Sequence, residues 1–217
     1  MTWLKICGIT SAEDALTCAE AGADALGFVF AESPRRVTPE RAAEIVGTLN
    51  GNLEKVGVFV NERAERIAAI AHAAGLTAAQ MHGEEEAQTI SSLRASTPEL
   101  ALFKAVSAAD YSGVRAALPD TKTCSFLRAI FLDSGRRGGT GARFDWKAAQ
   151  PAIAEFAERA NVVICGGLTP ENVGEAIQLF HPWGVDVSTG VERAPGKKDV
   201  AKVKAFIRAV RQAERKP

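Results

Sequence analysis

Trp3-Leu4-Lys5-Ile6-Cys7, then residues 11–21, then Ala25-Leu26-Gly27-Phe28-Val29-Phe30 read as strand, helix and strand. Ser11 stands where a helix wants a side-chain N-cap, and Gly22 where a helix ends on a left-handed residue. The unit then recurs. Apolar or β-branched runs follow at 55–60, 78–81, 102–106, 129–133, 161–165 and 185–188. Their starts are spaced by roughly 20 to 30 residues, the length of one strand–helix unit. Thr38 and Pro39 predict a helix over 39–49, and Thr169 and Pro170 repeat that signal ahead of 171–180. An amphipathic helix over 199–214 closes the pattern. Residues 120–128 fit neither period and read as loop.

Eight strand–helix units with no linker or low-complexity segment predict a closed (β/α)8 TIM barrel, one domain over residues 1–217. A doubly wound sheet is the competitor, but it usually has fewer units or a second domain. The 217 residues are 47% apolar and 24% charged, with 26 basic against 26 acidic side chains. That balance offers no electrostatic footprint for nucleic acid or an anionic membrane. The longest uncharged stretch, 67–83, is broken by Gly75, Gln80 and two histidines, so it is no bilayer span of about 20 apolar residues. The N-terminus has no basic segment followed by an apolar one, hence no visible signal peptide. Cys7, Cys18, Cys124 and Cys165 lie far apart without a C-x-x-C pair, which reads as reduced thiols in a cytoplasmic protein. No coiled coil or long apolar stripe demands a partner, and a monomer is expected.

In a parallel barrel both strand faces are buried, so strands should be continuously apolar. Several break that rule near their C-terminal ends. Lys5 and Cys7 share one face of the first strand, Gln80 and His82 one face of the fourth, and Asp186 and Ser188 one face of the eighth. Lys104 lies within the fifth strand and Asp133 ends the sixth. Any one of them alone reads equally well as a satisfied polar group at a loop boundary. Together they mark the catalytic mouth, which such barrels build at that end. After the seventh and eighth strands come Cys165-Gly166-Gly167-Leu168-Thr169-Pro170 and Ser188-Thr189-Gly190-Val191. Glycines let a phosphate approach backbone N–H groups, and a helix N-terminus adds a favourable dipole. Gly135, Gly138, Gly139 and Gly141 read as a mobile loop over the mouth, or as a plain linker.

Ten ordered segments carry a resemblance over essentially the whole chain. They include Lys5-Ile6-Cys7-Gly8-Ile9-Thr10, Ser33-Pro34-Arg35, Gln80-Met81-His82-Gly83, Leu132-Asp133-Ser134, Gly166-Gly167-Leu168-Thr169-Pro170 and Val185-Asp186-Val187-Ser188-Thr189-Gly190-Val191-Glu192. In these the sequence resembles the phosphoribosylanthranilate isomerases. The resemblance implies an Amadori rearrangement of N-(5-phosphoribosyl)anthranilate, in tryptophan biosynthesis, without cofactor or metal. It implies Cys7 as general base and Asp133 as general acid, with Arg35, His82 and Asp186 binding substrate. Gly166, Gly167, Ser188, Thr189 and Gly190 would then hold the phosphate. Chemistry adds two demands: positive potential to favour the Cys7 thiolate, and burial or a carboxylate such as Asp186 to keep Asp133 protonated. The loop after the second strand is one residue shorter than the common form, and the Ser-Pro-Arg register selects Arg35 over Arg36. Asp186 alternatively reads as a buried carboxylate satisfied by backbone N–H groups. Cys165, beside the phosphate turn, reads as core packing. Rival readings are a related sugar-phosphate aminoaldose isomerase, a metal-dependent epimerase and a non-catalytic phosphometabolite-binding barrel.

Overall fold

Strand residues alternate between two apolar layers, and that alternation closes the sheet on itself. In the computed structural model, which describes residues 1–107, 120–133 and 145–215, eight parallel strands form a closed barrel. They are β1 (Trp3–Cys7), β2 (Ala25–Val29), β3 (Glu54–Phe59), β4 (Ala78–Met81), β5 (Ala101–Ser107), β6 (Ala129–Asp133), β7 (Val162–Ile164) and β8 (Gly184–Val187). Leu4, Ile6, Leu26, Ile130, Leu132 and Ile164 turn outward under the helices, while Trp3, Ala25, Phe103, Phe131 and Val163 fill the interior. Period-two alternation therefore assigns Lys5, Cys7, Gln80, Asp133 and Asp186 to the inner face. A short antiparallel hairpin, β9 (Glu192–Ala194) and β10 (Lys197–Lys198), follows β8.

The helices are α1 (Ala12–Ala21), α2 (Pro39–Val46), α3 (Ala64–Ala74), α4 (Ala87–Ser96), α5 (Thr121–Cys124), α6 (Trp146–Ala157), α7 (Val173–Phe180) and α8 (Val200–Ala213). Their ends obey the cap chemistry. Ser11 Oγ accepts from Asp14 N at 3.1 Å, and Gly22 takes φ 101° behind α1. Thr38 Oγ1 accepts from Arg41 N at 3.1 Å with Pro39 in the first turn. Three expectations need correction. Helix α2 stops at Val46, before Gly47, three residues short of the predicted end at Leu49. Within 120–128 the chain makes one helical turn, α5, because Asp120 Oδ1 accepts from Thr123 N at 2.9 Å. And α7 begins at Val173, two residues later than predicted, because Asn172 takes the preceding position and Thr169 belongs to a turn.

The N-terminal end of the barrel is closed by rings. Trp3 stacks on Trp183 at 5.1 Å and meets Phe131 edge-on at 6.0 Å, and Phe103 meets Phe131 at 5.3 Å. Polar access is left to the opposite end. Among the described residues no helix is long and apolar enough to cross a membrane.

Candidate active site

Cys7 ends β1 at the open end and is half-buried. It is the register neighbour of Gly27 in β2. A Cβ on Gly27 would lie 2.7 Å from Cys7 Sγ and 3.0 Å from Lys5 Cε, so the bare glycine is what lets both side chains occupy the inner face. Lys5 is wholly buried, and its register neighbour across the β1–β8 seam is Asp186. Lys5 Nζ donates to Asp186 Oδ1 at 2.8 Å and stands 5.1 Å over the Phe131 ring. Burial works most strongly against the Lys5 ammonium, but Asp186, Cys7 and Cys165 together hold the lysine charged above its ordinary range. Desolvation pushes the Cys7 thiol up, and Lys5 pulls it back. The chemistry asks for positive potential at the thiolate; here the burial effect is the larger.

Asp133 ends β6 and is 6% exposed. The ring of His82, just past β4, brings Nε2 to 3.5 Å from Asp133 Oδ2, while Gln80 Nε2 lies 3.0 Å from His82 Nδ1. His82 thus stands beside Asp133 at the open end. Asp186 pairs with Lys5 through Oδ1. Among the described residues, three buried side-chain atoms at this end make no hydrogen bond: Gln80 Oε1, Ser188 Oγ and His82 Nε2, the last having only its 3.5 Å approach to Asp133. Buried polar groups are normally satisfied, so three at one mouth point to a polar ligand.

The turn after β7 takes left-handed backbone twice in succession, φ 79° at Gly166 and 68° at Gly167. Consecutive turns of this kind aim N–H groups at one point and make an anion cradle. Asn172, 3% exposed, braces the turn: its Nδ2 donates to Gly167 O and its Oδ1 accepts from Thr169 N, both at 2.9 Å. The turn after β8 packs directly against it, since a Cβ on Gly190 would lie 1.9 Å from Leu168 O. Ser188 precedes a 3₁₀ turn over Thr189–Val191, so all five expected phosphate residues lie in these two adjoining turns. The loop glycines 135, 138, 139 and 141 lie outside the described residues.

Arg35 is buried and Arg36 exposed. The Arg35 chain runs over Gly8, where a Cβ would come within 2.5 Å of Arg35 Cδ and 3.0 Å of Ser188 Oγ, and so reaches the mouth. Its Nε and Nη2 donate to the two carboxylate oxygens of Glu192 at 2.9 and 2.7 Å. Lys198 Nζ, also buried, donates to Glu192 Oε1 at 2.9 Å and to the Cys7 carbonyl at 2.6 Å. Burial raises the Glu192 carboxyl, but Arg35 and Lys198 outweigh it and hold it below the usual range. Sequence reasoning missed Glu192 and Lys198. Both stand within the segments that carry the resemblance, but no local period marks a partner so distant in sequence as Arg35.

Two other polar positions leave the site. Lys104 was expected at the mouth, yet alternation with inward Phe103 and Ala105 turns it outward. Its Nζ holds the loop after β4, at 2.6 Å from Gly83 O and 3.1 Å from Glu85 Oε2. Cys165 is 2% exposed in the inner core, with Sγ 3.1 Å from Leu132 O. Burial puts its thiol well above the ordinary range, which suits packing.

Comparison with known proteins agrees with this geometry. The family model for N-(5'-phosphoribosyl)anthranilate (PRA) isomerase matches residues 4–209. The N-(5'-phosphoribosyl)anthranilate isomerase of Pelobacter propionicus is 44% identical over 213 residues, 98% of this chain and 97% of the relative. The crystal structure of phosphoribosyl anthranilate isomerase from Thermotoga maritima superimposes with TM-score 0.85 at 41% identity, covering 98% of this chain and 100% of that one. A structure of such an isomerase in complex with reduced 1-(o-carboxyphenylamino)-1-deoxyribulose 5-phosphate gives TM-score 0.84 at 39% identity, with coverage of 98% and 100%.

Proposed function

The chain belongs to the N-(5'-phosphoribosyl)anthranilate isomerase family, and from that premise we propose Cys7 as the base and Asp133 as the acid of its reaction. The activity is an isomerisation in tryptophan biosynthesis, an Amadori rearrangement of an aminoaldose to a 1-amino-2-ketose. Asp133 gives its proton to the furanose ring oxygen, and the ring opens to a Schiff base. Cys7, as thiolate, then removes the proton from ribose C2, and the resulting enolamine tautomerises to the ketone. The observation that carries this reading is placement: Cys7 and Asp133 end β1 and β6 on the inner face, with β7 and β8 and their two glycine turns between them. A sugar phosphate held by those turns would reach both groups. Incubation with freshly made N-(5'-phosphoribosyl)anthranilate in the presence of a chelator should give loss of the substrate's fluorescence. Absence of turnover under those conditions would refute the reading.

Phosphate binding falls to the N–H groups of Gly166, Gly167 and the turn from Ser188 to Gly190. Any side chain at Gly167 is strained at φ 68°. Gly167→Val is therefore expected to weaken substrate and inorganic phosphate together, measured as KM and as the inhibition constant of phosphate. Loss of substrate affinity alone would move the phosphate elsewhere.

Arg35 takes the anthranilate carboxylate. Glu192 occupies its Nε/Nη2 edge and so orients the guanidinium, leaving further donors on the same fork. A hydrogen bond to a charged group is worth about 1.5–3 kcal/mol, so Arg35→Met should raise KM roughly ten- to a hundredfold. The carboxylate is remote from the reacting carbons, so kcat should change little. Arg36, exposed, should cost far less on the same substitution. Side-by-side KM values decide it, and a larger loss from Arg36→Met would shift the register by one. The protein is taken to act as a monomer, and sedimentation equilibrium tests that.

A further inference from the structure

Four ionisable groups besides Lys5 act on the Cys7 thiol: Asp186 from β8, Lys198 from β10, Arg35 from the loop after β2 and Cys165 just past β7, while Asp133 ends β6 on the same inner face. Lys198 and Arg35 are each bound to Glu192, and their charge is shared with that carboxylate. Lys5 is placed differently. It lies two residues before Cys7 on the same face of β1, and both side chains fill the space over Gly27. Its ammonium is sealed from solvent above the Phe131 ring, with Asp186 as its carboxylate partner.

We propose that Lys5 is a positioning residue for the base step: paired with Asp186 so that its charge survives burial, it stabilises the Cys7 thiolate that takes the C2 proton. A buried ammonium costs several kcal/mol unless it is paired, which explains why a carboxylate stands at its register neighbour. Asp186 opposes the thiolate, but the lysine acts on it more strongly. The proposal rests on Cys7 as base but is read without turnover.

The test is the pH dependence of Cys7 alkylation by iodoacetamide, with the labelled peptide identified by mass spectrometry. Lys5→Met alone would leave Asp186 buried and uncompensated, so the decisive variant is Lys5→Met/Asp186→Asn, with circular dichroism as the check on folding. Its alkylation midpoint should rise by at least about one pH unit, roughly a tenfold loss of thiolate at pH well below the midpoint. Asp186→Asn alone should not raise it. A folded double variant with the wild-type midpoint, or equal rises in both variants, would overturn the role of Lys5. Neither outcome touches the assignment of Cys7 as base, which rests on the activity of Cys7→Ser.

Discussion

Cys7→Ser is expected to lower kcat by about 10²–10⁴-fold while leaving the affinity for a product analogue nearly unchanged. The hydroxyl fits where the thiol stands over Gly27, so the pocket keeps its shape. What changes is acidity. A thiol in this pocket is already pushed up by burial, and only the neighbouring cations bring its thiolate within reach. An alcohol lies far beyond that reach, so the C2 proton would have no comparable acceptor. Cys165→Ala provides the contrast. That thiol is packed in the inner core against Leu132 O, and its loss should leave most of the activity. Inactivation by iodoacetamide that tracks Cys165 instead of Cys7 would reverse the two roles.

Asp133→Asn is expected to cost kcat a similar factor, about 10²–10⁴, again with binding of a product analogue retained. The amide matches the carboxyl in size and can still meet the His82 ring, 3.5 Å from Oδ2. It has no acidic proton to give to a furanose oxygen. If kcat stays near the wild-type value, ring opening does not depend on this group, and the acid must be sought elsewhere at the mouth.

The barrel was legible because its signal is local. Three strands, β1, β4 and β6, fall on the residues that their apolar runs predict; β2 differs by one residue at one end, and β3, β5, β7 and β8 by one residue at each end. Ser11, Thr38 and Gly22 act within a few positions of themselves, so their cap chemistry reads directly. The late start of α7 shows where locality fails: Thr169-Pro170 has a cap's composition, but Asn172 is used to brace the glycine turn. At the site, alternation placed Cys7, Gln80, His82, Asp133 and Asp186 inward, and glycine pairs marked the turns. Lys104 broke the rule because a polar residue in a strand can serve the outer layer as well as the inner one. The Arg35–Glu192–Lys198 network and the Lys5–Asp186 pair join the ends of the chain. Only barrel closure brings those partners together, and closure leaves no mark on any short window of sequence.

The division of labour between Cys7 and Asp133 is tested most directly by substrate carrying deuterium at ribose C2, turned over by Cys7→Ser and Asp133→Asn side by side. Losing the base makes C2–H cleavage limiting, so Cys7→Ser should show a several-fold primary isotope effect on kcat/KM. Losing the acid makes ring opening limiting, so Asp133→Asn should show an effect close to unity. The reverse pattern, with the large effect in Asp133→Asn, would contradict the assignment of base and acid.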